Sequence, residues 1–428
     1  MGALVFEMKY LEQLAARRRF GMRPGLETIS SILAALGNPE KGLPVVHVAG
    51  TNGKGAVVSI LDECFRAAGL KSARYTSPHL VKINERFFLD GRPLSDSLLE
   101  RASIKVEDSV LNLGEAQAEV TFFEALTLVA FEVYSSEKVD VAVFETGLGG
   151  RLDATNVCEP RISVITRIGL DHCDWLGNTP QAIAAEKAGI IKPNVPIVLG
   201  RNIDSVRGVV EARAREVGAP FFYAPDMVSE EDIPKGYALD GSFNRENALT
   251  ALSVLKVVQD FKLFDFPDPN RLFDGFGHVV WPGRFQRVGN TIVDGAHNPP
   301  AARALASALA AEGCAFTLVA GFCSDKDVGE TLSILAPYIK KAYAVRTNNP
   351  RSLSAEDLAA KMHECGIGAV ACGSLAEAFA FAGVDAAAKG SGEVVVCGSL
   401  FLAGEALVEL GAYPWDANRF DPSEKLHS

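Results

Sequence analysis

The sequence predicts an α/β protein with mostly parallel sheets, divided into two domains. Short apolar runs alternate with segments of helical periodicity along the chain, the order that strand–helix–strand crossovers produce. The length, 428 residues, suits two domains or one large one. A Gly-rich seam containing Pro282, "GFGHVVWPGRFQRVGN" at Gly275–Asn290, is followed by a fresh strand–loop–helix series with Ala-rich helices, which places a boundary there. The domains are taken as 1–285 and 286–428.

Taken in order, the strand candidates of the first domain are Val45–Ala49, Ala73–Tyr75, Val139–Phe144, Ile162–Ile165 and Pro196–Leu199. Those of the second are Thr291–Val293, Phe316–Ala320, Ala342–Val345 and Glu393–Cys397. The clearest helix follows the first strand. Val57, Val58, Ile60, Leu61, Cys64, Phe65 and Ala68 form one apolar stripe, and Gly69 suits its end. Residues 225–242 read as a polar loop, and Ala301–Ala311 as a helix.

With 48% hydrophobic and 22% charged residues the chain is a packed globular protein. A net charge of −11 argues against nucleic acid or an anionic membrane as the main partner. An anionic substrate needs local cations to overcome that field. No apolar run reaches the roughly 18 residues of a membrane span, and Met1-Gly2-Ala3-Leu4 starts no signal peptide. Eight scattered cysteines without a C-x-x-C pair read as reduced thiols, and the expected location is the cytoplasm.

The stretch "VVHVAGTNGKGAVVSIL", 45–61, is a strand, a glycine-rich turn and a helix start. The amides of Gly50, Thr51, Asn52, Gly53 and Gly55 can converge on phosphate, the helix N-terminus adds roughly half a positive charge, and Lys54 adds a full one. Gly55 and Ala56 stand where a standard loop of this kind carries the Ser or Thr that touches Mg²⁺, which leaves open what holds the metal. Glu145, at the end of "VDVAVFE", is a candidate Mg²⁺ ligand or a loop acceptor. His172 in "GLDHCDWLG" is a second candidate ligand or a structural histidine. Lys187 in "AIAAEKAGII" either snorkels beside Glu186 or is drawn into a crowded site. Asp294 and His297 in "DGAHNPP" follow a second-domain strand, where an acidic residue commonly meets a ribose hydroxyl; as plain loop residues they are equally acceptable. His47, inside its strand, reads as a packed residue.

Together, "HVAGTNGKG", "YTSPHL" with "NERF", "TFFEALT", "ETGLGGRLDATN", "LDHCDWLG", "AAEKAGIIK", "WPGRFQ", "DGAHNP" and "CGSLFLAGE" resemble the bacterial folylpolyglutamate synthase/dihydrofolate synthase family of the Mur ligase superfamily, in order from about residue 45 to 405. The pairing of "GLGGRLDATN" with "DHCDWLG" is specific to the folate branch. The resemblance implies a P-loop mononucleotide-binding N-terminal domain and a smaller Rossmann-like C-terminal domain carrying the glutamate-ligase function. It also implies an ATP-dependent amide ligase: the substrate carboxylate takes the γ-phosphate, and the amine of L-glutamate displaces phosphate from the acyl phosphate.

Residue by residue, the resemblance assigns Asn247 and Arg284 to ATP, which it places between the domains, with Asp294 near the ribose and His297 close by as a catalytic residue beside Lys54 and Lys187. Ser77, Glu145 and His172 match the Mg²⁺ ligands, and Lys187 matches a lysine carbamylated in the family, a second-metal ligand. Thr121, Phe123, Asp153 and Ala154 match the pterin site, where an aromatic ring suits a flat π system. Arg86 and Ser399 match positions for glutamate carboxylates. Ala56 departs from the family's Ser or Thr and costs one hydroxyl contact to phosphate. The implied partners are ATP, L-glutamate and dihydropteroate or tetrahydrofolate, on a monomer. The alternatives are a monofunctional folylpolyglutamate synthase, a cell-wall Mur ligase and a nucleotide-dependent regulatory protein.

Overall fold

Val45–Ala49 forms β1, a strand with every residue buried, at the heart of an eight-stranded sheet. The computed structural model describes residues 25–113, 120–384 and 393–415; the Met1–Leu4 stretch lies outside them. The other strands of this sheet are β2 (Ser72–Tyr75), β3 (Phe87–Leu89), β4 (Arg92–Pro93), β5 (Val141–Glu145), β6 (Pro160–Ile165), β7 (Ile197–Leu199) and β8 (Phe221–Tyr223). Their order is β4-β3-β2-β5-β1-β6-β7-β8, parallel except for the β2–β3 and β3–β4 pairings. The central strands are buried throughout, as expected where helices cover both faces of a parallel sheet.

The register sets the geometry of the upper edge. Val48 lies opposite Glu145, and Ala49 opposite Ile165. The segments that leave β1, β5 and β6 therefore emerge side by side, where ligands of open α/β sheets bind. The helix Lys54–Ala67 is buried nearly all round from Gly55 to Phe65. Its second face is covered by the turn Asp274–Gly277, where a Cβ on Gly275 would stand 2.4 Å from the Cys64 nitrogen. The Gly-rich seam thus begins with a close backbone approach. Asp62 of the helix accepts from the Ser72 hydroxyl at 2.6 Å and pairs with Arg74 at 3.4 Å, pinning the helix to β2.

The chain divides into two compact units. One runs to Ala238 and resumes at Arg245–Val279; the other joins Leu239–Asn244 to the chain from Val280 onward. The second unit holds β9 (Gln286–Val288), β10 (Thr291–Val293), β11 (Phe316–Ala320), β12 (Ile339–Ala344), β13 (Ala369–Ala371) and β14 (Val394–Cys397), ordered β13-β12-β11-β14-β10-β9. Only β9 runs antiparallel to its neighbour. Its core, built on Leu305, Phe316, Leu318, Leu332 and Val395, is its own.

Residues 225–242 are more ordered than a polar loop. They include the end of a helical turn at Ala224–Met227, a 3₁₀ turn at Glu230–Asp232 closed by a Ser229–Asp232 capping box, and the first residue of the helix Ser242–Asp260. Local capping supplies hydrogen bonds that an apolar pattern does not signal.

Candidate active site

The loop after β1 is glycine-rich because of two neighbours. A Cβ on Gly50 would fall 1.8 Å from the Thr166 hydroxyl, and one on Gly53, at φ 85°, 2.1 Å from Asn247 Oδ1. Asn247 thus stands against the loop. The Thr51 and Asn52 amides donate to the Arg167 carbonyl at 2.9 and 3.2 Å, and the Thr166 hydroxyl donates to the Asn52 carbonyl at 2.8 Å. These bonds tie half the loop to the end of β6 and correct the expectation that every loop amide faces phosphate. The helix N-terminus begins at Gly53: the amides of Gly53, Lys54, Gly55 and Ala56 precede the first helical bond, Val57 N–H to Gly53 O at 3.0 Å, and are available to an anion. The Lys54 ammonium curls back to donate to the Gly50 carbonyl at 3.2 Å, and its Nζ lies 3.7 Å from Glu145 Oε1.

Glu145 is buried, and its other oxygen accepts from the Ser77 amide at 3.2 Å. Lys54, Glu145 and Ser77 are therefore one contiguous group. The segment bearing Ser77 is held at both ends: Thr76 N–H donates to the Arg86 carbonyl at 2.9 Å, and Glu85 accepts three amides, Leu80, Val81 and Lys82, at 2.6–2.8 Å. His172 lies beyond β6 at φ 50°, its side chain 47% exposed and Nε2 3.8 Å from Asp171 Oδ1. Among the described residues no three His, Cys, Asp or Glu side chains converge as a closed cage. Mg²⁺ does not require one, since it keeps several waters and shares substrate phosphate oxygens. A buried carboxylate beside a hydroxyl residue and the amides of a helix N-terminus fits that ion.

Lys187, on the helix Pro180–Ala188, is 4% exposed. Glu186 pairs with Arg151 at 2.9 Å instead, so the snorkelling pair is not formed. Lys187 makes no ion pair among the described residues. Burial first, then the Lys54 charge, push its amine down to about 7, with Asp171 and Asp153 acting in the opposite sense. An amine in that range is substantially neutral at physiological pH.

Thr121 caps the helix Phe122–Ser136 in a box with Glu124. The Phe123 ring lies 5.9 Å from the Tyr75 ring and against Gly147, where a Cβ would stand 2.5 Å from its Cζ. Asp153 uses both oxygens on its own segment: Oδ1 accepts from the Thr155 amide and hydroxyl at 3.0 and 2.5 Å, and Oδ2 from the Leu148 amide at 2.8 Å. Ala154 is buried in the following turn. Arg86 is 8% exposed, its guanidinium 5.5 Å from the Phe122 ring, and its Nε donates to His79 Nδ1 at 2.9 Å. The imidazole, which burial keeps neutral, orients that cation, and the charges of Glu145 and Glu85 act on it.

In the second unit, Asp294 follows β10 and Ser399 follows β14. Asp294 accepts from the Phe285 and Ala296 amides, both at 2.8 Å, and burial raises its carboxyl while the Arg284 charge opposes this. A Cβ on Gly295 would stand 2.7 Å from Arg284 Nη1 and 2.3 Å from a Leu400 methyl. Arg284, Asp294 and Ser399 thus share one edge. His297 Nδ1 lies 2.8 Å from the Gly295 carbonyl and so carries the hydrogen. The Ser399 hydroxyl caps the helix Leu400–Glu409 by accepting from Leu402 N–H at 3.0 Å, which leaves that helix's amide end as the anion-facing feature. Sequence reasoning missed Thr166, Arg167, His79 and Gly147; the first two sit directly after a strand it had found, and that position was their only signal.

The Mur ligase middle domain family matches residues 48–204, and the Mur ligase glutamate ligase domain family matches residues 283–400. The dihydrofolate synthase/folylpolyglutamate synthase of Bacillus subtilis is 35% identical, covering 68% of this chain and 74% of the relative. The protein of the same name from Escherichia coli is 32% identical over 92% of both. The chain belongs to the folylpolyglutamate synthase/dihydrofolate synthase family of the Mur ligase superfamily. Among solved structures, Mycobacterium tuberculosis folylpolyglutamate synthase complexed with ADP superposes with a TM-score of 0.83 at 32% identity, covering 94% of this chain and 99% of that one. Among the described residues no helix is long and apolar enough to cross a membrane.

Proposed function

We propose that the chain is an ATP-dependent ligase that joins L-glutamate to dihydropteroate and extends reduced folates through an acyl phosphate. The observation that carries this reading is the Lys54–Glu145–Ser77 group beneath phosphate-facing amides, with a buried, low-pKa lysine electrostatically coupled to Lys54. The substrate carboxylate oxygen attacks the γ-phosphorus and ADP leaves. The glutamate amine then attacks the acyl carbon, loses a proton and expels phosphate. Phosphoryl transfer of this kind needs positioning and charge neutralisation more than covalent help. Lys54 and the amides from Gly53 to Ala56 hold the phosphates. Glu145, Ser77 and His172 would hold Mg²⁺, whose charge neutralises the phosphoryl oxygens.

The neutral amine of Lys187 suits reaction with carbon dioxide: an N–C bond forms, a proton leaves, and a buried neutral group becomes an anion beside Lys54. Phe123 offers the pterin a ring face, with Thr121, Asp153 and Ala154 framing it. Arg86 presents a buried guanidinium for a glutamate carboxylate. Asn247, Arg284 and Asp294 serve ATP, with His297 close by as a catalytic residue, and Ser399 serves the incoming glutamate together with Arg86. The eight unpaired cysteines suit a cytoplasmic protein, which we take to act as a monomer.

The deciding experiment is glutamate-dependent phosphate release with dihydropteroate and with tetrahydrofolate, run in parallel. Release with both supports the dual activity. Release with tetrahydrofolate alone makes the enzyme a monofunctional folylpolyglutamate synthase, and release with neither removes the folate reading.

A further inference from the structure

We infer that His47 is a positioning residue for the pterin substrate, acting through the Thr155 hydroxyl on Asp153. This rests on the folate reading above. His47 is fully buried in β1, three residues before the phosphate loop begins at Gly50, and its Nε2 lies 2.8 Å from Thr155 Oγ1. The Thr155 hydroxyl has one hydrogen, and Asp153 Oδ1 at 2.5 Å can only accept it. The hydroxyl must therefore receive from His47, which fixes the imidazole as the Nε2–H form. Nδ1 is left as a buried atom with no hydrogen-bond partner. Burial and then the Lys192 charge push the imidazole down to about 3, so it stays neutral throughout the working range.

The far end of this chain is the segment from Gly147 to Asp153. Asp153 Oδ2 accepts from the Leu148 amide at 2.8 Å, and Gly147 lies directly under the Phe123 ring. On the other side, a Cβ on Gly150 would stand 2.8 Å from the Lys187 carbonyl. One segment therefore seats the aromatic wall and packs against the helix that carries Lys187. With its oxygens committed to Thr155 and Leu148, Asp153 serves that segment as its internal fastener. His47 orients the hydroxyl that completes the fastening, so the strand leading to the phosphate loop also sets the pterin wall. An unsatisfied buried histidine nitrogen is a cost, and this bond is what it is retained for.

The test is steady-state kinetics of the full-length enzyme with dihydropteroate, L-glutamate and ATP. Thr155→Val keeps the shape, removes the hydroxyl and leaves β1 untouched. It should raise the KM for dihydropteroate about tenfold, the effect of one buried hydrogen bond, with kcat within about threefold and the KM for ATP unchanged. Thr155→Ser and His47→Gln, which keep hydroxyl and donor, should stay near wild type. His47→Leu should reproduce Thr155→Val, and the double variant should be no worse than either single one. An unchanged KM for dihydropteroate in Thr155→Val overturns the inference, as do equal rises in both KM values or additive effects in the double variant. If the wild-type enzyme does not use dihydropteroate, the dual-activity reading fails separately, and the same comparison is then read with tetrahydrofolate.

Discussion

A lysine with no ion-pair partner among the described residues needs a reason to be buried, and Lys187 has one if it is modified. Its amine, lowered to about 7, reacts in the neutral form. Carbamate formation should therefore accelerate about tenfold per pH unit below 7 and level off above it, because the neutral fraction saturates. Enzyme equilibrated with ¹³C-bicarbonate should show a carbamate carbon resonance that Lys187→Ala lacks, and carbon dioxide depletion should lower activity reversibly. A bare amine with no such dependence would end the carbamate assignment. The metal is tested separately. Glu145 is a buried anion, whereas the Ser77 hydroxyl makes no hydrogen bond among the described residues. In an Mg²⁺ titration at saturating ATP, Glu145→Gln should raise the half-maximal concentration most, roughly tenfold or more. Ser77→Ala should raise it less, and Ala56→Ser should change it little. Strong tightening by Ala56→Ser would return the metal to the loop.

Between elements, Gly147 decides how closely the segment after β5 approaches the helix that carries Phe123. Gly147→Ala puts a methyl group 2.5 Å from a ring carbon, so the ring must move. Overpacking of this kind costs about 1–3 kcal/mol, which corresponds to a rise of roughly 5- to 150-fold in the KM for the pterin substrate. The KM for ATP should hold, and a parallel rise in both would show general damage instead. The same elements show what a sequence can disclose. β1, β10 and β11 have the bounds read from their apolar runs, because all three are buried throughout. β8, β9 and β13 went unread because they are three-residue edge strands with no fully buried position, too short for an alternation to register. The β3–β4 hairpin turns at Asp90-Gly91, both at positive φ, and its strands are too short to register as a pattern. Lys54 and Glu145 were legible because an ending strand marks them. The burial of Lys187 was not, since nothing in a short helix of mixed residues says which side meets the protein.

Across the whole molecule, both sheets use one device at their upper edge. A carboxylate on the segment that follows a strand spends its oxygens on nearby backbone amides: Asp153 on Leu148 and Thr155, Asp294 on Phe285 and Ala296. A chain of net charge −11 thereby keeps two acidic groups inside its sites with their charge answered by the backbone. Each unit has a core of its own, so damage to one fastener should stay in its unit. Asp294→Asn turns one acceptor into an NH₂ group facing the Phe285 or Ala296 amide. Leaving a buried donor unmet costs about 1–3 kcal/mol, which accelerates local hydrogen exchange by roughly 5- to 150-fold where local opening governs it. Exchange of the intact protein should accelerate in peptides covering residues 283–298, while those covering 141–165 keep wild-type protection. Asp153→Asn should give the mirror image, faster exchange at 146–157 with 283–298 unchanged. If either substitution loosens both regions equally, the fasteners are not local and the two edges open as one.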